Sequence, residues 1–60
     1  MLNLKPNFDD TDGFYAALLG AHEGLSDADS EALNARLILI LANHIGNDGV
    51  LNAALEAATS

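Results

Sequence analysis

Sixty residues, half of them apolar, carry nine acidic and two basic side chains, for a net charge of −7. That length allows one small domain spanning residues 1–60. Lys5 and Arg36, the only fixed cationic side chains, cannot form the basic clusters that nucleic acid or an anionic membrane surface demands.

The first nine residues read as an extended arm. Pro6 disfavours helix at Lys5, and Leu2 and Leu4 alternate with polar neighbours. No long apolar stretch suggests a signal peptide. Leu2, Leu4 and Phe8 are expected to dock on a helix of this or another subunit, the alternative being a frayed terminus.

Asp9-Asp10-Thr11-Asp12-Gly13 then opens a first helix, expected over about residues 11–23. Asp and Thr cap helices well, and negative charge suits the positive end of the helix dipole. Phe14, Leu18 and Ala21 fall at i, i+4, i+7 and make one apolar stripe, widened by Tyr15 and Leu19. Gly24 stands where a left-handed terminating residue belongs. Ser26 caps the second helix, with Asp29 at the third position of a capping-box variant. No Gly or Pro interrupts residues 27–45, and Gly46 ends the run. The block Leu37-Ile38-Leu39-Ile40-Leu41 could form a buried strand, but the length and the caps at both ends favour helix. Its longest apolar run, Leu37 to Ala42, is too short for a membrane span. Asn47-Asp48-Gly49 caps a third helix over about residues 48–58, with Val50, Leu51, Ala54 and Leu55 expected to face inward. The fold class is therefore all-α: three short helices and an extended arm, joined by links so short that neighbouring helices pack antiparallel or at a sharp angle.

The second helix is the informative element. Leu33, Leu37, Ile40 and Leu41 cover one side, and Ile38, Ala42 and Ile45 cover the opposite one. Only a narrow polar stripe of Asp29, Arg36 and Asn43, spaced by seven, breaks the apolar surface. A helix apolar nearly all round is buried nearly all round, and two short helices cannot cover it. A chain of this mass should bury roughly 5,000 Å² on folding. With no cysteine, disulfides and thiolate–zinc sites cannot help it, and the composition fits a reducing, cytoplasmic compartment. Oligomerisation is the remaining route. One side of helix 2 is expected to meet helices 1 and 3, and the other side another chain. Arg36 has no acidic residue three or four positions away, so its partner must come from another helix, the arm or another chain, unless it simply reaches into solvent. The expected interface comprises Arg36, Leu37, Ile38, Ile40, Leu41, Asn43, His44 and Ile45.

Chemical sites are harder to find. His22 and His44 lack the i, i+4 spacing of a helical metal pair, and each lies in the last turn of its helix, where capping suits it. The acidic run at 9–13 fails as a calcium loop. With Gly13 at loop position six, Phe8 and Leu19 would occupy ligand positions one and twelve. Ser26, Ser30 and Ser60 have no nucleophile elbow around them, and there is no Gly-rich phosphate loop. No catalytic residue, metal or cofactor is expected.

The residues Leu2-Asn3-Leu4-Lys5-Pro6-Asn7, Phe14-Tyr15-Ala16-Ala17-Leu18, His22-Glu23-Gly24-Leu25-Ser26 and Ala32 through Gly46 together resemble a small bacterial family, domain of unknown function 2783. The stretch Asn34-Ala35-Arg36-Leu37, closed by Leu41-Ala42-Asn43-His44-Ile45-Gly46, is the most specific part. The resemblance implies no activity. It implies a stand-alone protein often encoded beside flavin-dependent aromatic monooxygenases. Two functions are expected from the sequence. One is a non-catalytic interaction protein, a homo-oligomer with a dimer favoured or an accessory subunit of such an enzyme. The other is a small-molecule or cofactor binder with an apolar pocket between helices or subunits, anchored by Arg36 or His44.

Overall fold

A computed structural model describes residues 1–60. It contains three helices and no strand: α1 (Thr11–His22), α2 (Asp27–Ile45) and α3 (Asp48–Thr59). The expected boundaries hold to within one residue at each end.

The caps explain that agreement. The Asp10 side chain accepts from the Gly13 N–H at 2.9 Å, the Ser26 hydroxyl from Asp29 N–H at 3.2 Å, and the Asn47 side chain from Val50 N–H at 3.0 Å. Each removes one of the donors that a helix start leaves without a partner. Gly24 and Gly46 adopt positive φ, 75° and 71°, where a Cβ would be strained. The Gly46 N–H bonds the Ala42 carbonyl at 2.8 Å and closes α2.

The helices are joined closely but packed loosely. Between α1 and α2 the chain turns through Glu23–Ser26, and between α2 and α3 through Gly46 and Asn47. Leu33 and Leu37 are half-buried on α2, facing the half-buried Leu18 of α1. On α3, which meets α2, the half-buried residues are Val50, Leu51, Ala53 and Ala54. Leu55, expected to face inward, is 64% exposed. It shares a face with Leu51, which is half-buried.

The arm lies against the same chain. Leu2 is half-buried near Val50 and Ala53 of α3, and residues 3–8 run beside Leu41 and Ile45 of α2. Asn3 accepts the Lys5 N–H at 2.9 Å, which bends the arm ahead of Pro6. Phe8 stacks obliquely on Phe14 with ring centroids 5.8 Å apart. Leu4 and Phe8 nevertheless remain 77% and 60% exposed, so two of the three residues expected to dock are largely open.

No residue of the chain is fully buried. The accessible area is 5228 Å², against roughly 3,700 Å² for a compact monomer of this mass. The radius of gyration is 13.2 Å, against about 10.4 Å for a compact domain of this length. The caps and turns that a folded domain requires are in place, but the enclosed core is missing.

Candidate interaction surface

The interaction surface is built on α2, about 28 Å long at 1.5 Å per residue. Its side chains point all round the axis, and its neighbours cover only part of them. Ile38, Leu39 and Ile40, at successive 100° steps, are 64%, 69% and 65% exposed. Three consecutive branched aliphatic residues in water on three sides form the contiguous apolar surface that usually marks an interaction site.

Where α1 approaches α2, an open groove of about 400 Å³ forms. Phe14, Ala17, Leu18 and Ala21 form its α1 wall, and Leu33, Arg36, Leu37 and Ile40 its α2 wall. Seven of these eight residues are apolar, and Arg36 is the exception. The guanidinium makes no ion pair and no side-chain hydrogen bond within the chain. That agrees with the absence of an acidic neighbour one turn away, and it excludes a partner from the arm or from α1 or α3.

The other expected interface residues divide by neighbour. Arg36, Leu37 and Ile40 line the groove, while Leu41 and Ile45 sit beside the arm and stay 47% and 50% exposed. Ile38 lies on the open side. Asn43 and His44 are exposed, and neither side chain makes a hydrogen bond. The structure therefore places the eight around the helix rather than on one face. The four α1 residues of the groove wall escaped the sequence reading as interface candidates. Phe14, Leu18 and Ala21 read as an ordinary core stripe, and only the openness of the packing gives them a second use.

His22 is the side chain that ties α1 to α2. Its Nδ1 lies 2.7 Å from the Leu18 carbonyl oxygen, to which it can only donate. Its Nε2 lies 2.8 Å from the Asn34 amide oxygen. A ring protonated at both nitrogens donates to both. A neutral ring donating at Nδ1 accepts at Nε2, which the Asn34 NH2 meets after a half-turn of the amide. The histidine thus caps the end of α1, as expected, and also reaches α2. No three His, Asp or Glu side chains converge to hold a metal ion, and no helix is long and apolar enough to cross a membrane.

Against known proteins, the chain matches one family model, described as "Protein of unknown function (DUF2783)", over residues 2–60. No curated protein and no solved structure matches it.

Proposed function

Because the chain belongs to the DUF2783 family, whose description names no activity, we propose its function from the geometry: it is a non-catalytic helical interaction protein whose core is completed by another chain. The observation that carries this reading is the complete absence of buried residues in a chain with formed caps and turns. An apolar helix exposed on several sides is costly in water, and a surface of that kind is stable once a partner covers it. The open groove, with a single polar lining side chain, gives no walled space in which reacting groups could be held.

Thermal unfolding of the isolated chain, paired with sedimentation, tests this reading. The expected result is that any cooperative melt belongs to an assembled species and rises in temperature with protein concentration. A monomer with a sharp, concentration-independent melt would remove the need for a partner.

The groove also favours a second reading, an apolar small molecule held against Leu33 and Leu37 with Arg36 bonding its polar end. Native mass spectrometry of the purified protein separates the two, since a stoichiometric added mass supports the ligand and its absence supports the protein partner. Within the first reading, the resemblance supplies a candidate heterologous partner, a flavin-dependent aromatic monooxygenase. Co-purification of such an enzyme with the tagged protein tests that assignment.

A further inference from the structure

Resting on the reading that another chain completes the core, we propose that this chain is a second copy, packed antiparallel through α2 into the groove between α1 and α2, with Arg36 of each copy paired to Asp29 of the other.

The exposed area sets the scale. The chain exposes about 1,500 Å² more than a compact monomer of its mass. Obligate homodimers cover roughly 1,000–2,500 Å² per subunit. The excess thus matches what one such interface covers on each subunit.

Self-complementarity decides the occupant. Asp29, Leu33, Arg36 and Ile40 follow one another at spacings of four, three and four, so they share one face of α2. Arg36 has no partner in its own chain. The Asp29 carboxylate makes no hydrogen bond either, since only its backbone N–H is used, by Ser26. In a two-fold interface, if residue i meets residue j then j also meets i. Two antiparallel α2 helices therefore bring Asp29 against Arg36 twice, in one register. The seven-residue spacing keeps both groups on the facing stripe.

The same register accounts for the neighbours. It sets Leu33 beside Ala32 of the other copy and Ile40 near its Leu25, which is 39% exposed just ahead of α2. It places Glu31 opposite Asn34 rather than opposite another carboxylate. The two α2 helices then overlap over residues 27–38, where Asp27 stands opposite Ile38, Asp29 opposite Arg36 and Glu31 opposite Asn34, so two chains of charge −7 meet there with no carboxylate directly facing another. The groove receives the second α2 beside α1, which yields a four-helix core of α1, α2 and their counterparts.

The test is a charge exchange between chains, read by sedimentation equilibrium of the full-length protein. Wild type is expected to be a dimer. Arg36→Glu and Asp29→Arg each place like charges together twice, and each should weaken self-association roughly tenfold or more. Mixed in equal amounts, the two variants should form a heterodimer near wild-type affinity, because Asp29 then meets Arg36 and the introduced pair matches as well. A single variant that misfolds on its own remains informative, since only a contact between chains is rescued in trans. A wild-type monomer overturns the proposal, and amide-exchange protection in that monomer shows whether the broader reading falls with it. A dimer unaffected by either substitution, or weakened by both without rescue on mixing, also overturns the proposal.

Discussion

His22 and Asn34 are twelve positions apart and carry the one hydrogen bond between side chains of different helices. Each helix was legible from its own periodicity and caps. This pair was not, because a reading that treats helices one at a time cannot say which residues face each other across a turn. The His22 bond to the Leu18 carbonyl was legible, since a cation-capable ring in a last turn finds a free carbonyl there. A double-mutant cycle with His22→Ala and Asn34→Ala should give a coupling of about 0.5–1 kcal/mol, the size of a partly exposed hydrogen bond. It is measured by urea unfolding at one fixed protein concentration, and a coupling indistinguishable from zero would make the contact incidental. Arg36 belongs to the same scale. Its lack of a helical ion-pair partner was visible in the sequence, whereas its place on a groove with α1 depended on the angle between two helices.

Helix ends were legible because they are set by local chemistry. A capping side chain and a residue tolerant of positive φ act within three or four positions, and both are read directly from residue types. Two glycines give opposite expectations on this basis. Gly46 holds φ 71°, so Gly46→Ala should lower stability by about 1 kcal/mol through left-handed strain. Gly20 lies inside α1 with open space where a Cβ would stand, so Gly20→Ala should raise stability by about 0.5–1 kcal/mol. Chemical denaturation of both variants checks the signs, and a destabilising Gly20→Ala would place an unseen neighbour on that side of α1. Helix faces were less legible. Leu55 lies on the face of Leu51, yet Leu51 is half-buried and Leu55 is 64% exposed. Periodicity tells which residues share a face, but contact requires a neighbour along the whole helix.

The molecule as a whole carries one mismatch. The chain has the helix content and turn chemistry of a folded domain and the surface of an unpacked one. The apolar excess was visible in α2 as a pattern on too many faces. Its location was not, since the arm, α1 and α3 could have been arranged to cover more of it. They cover Leu33, Leu37 and Ala42 in part and leave Ile38, Leu39 and Ile40 open. The charge takes a specific place in this picture. Asp10 caps α1, and Asp12, Asp27, Asp29 and Asp48 stand in first turns, so most of the negative charge sits at helix starts and away from the central stretch of α2. Amide hydrogen exchange across a dilution series shows whether the core depends on a second chain. If a second chain completes the core, amides of Leu33 to Ile45 are protected in the assembled protein and lose protection as dilution separates the chains. Equal protection of those amides in a monomer would show that the core needs no second chain.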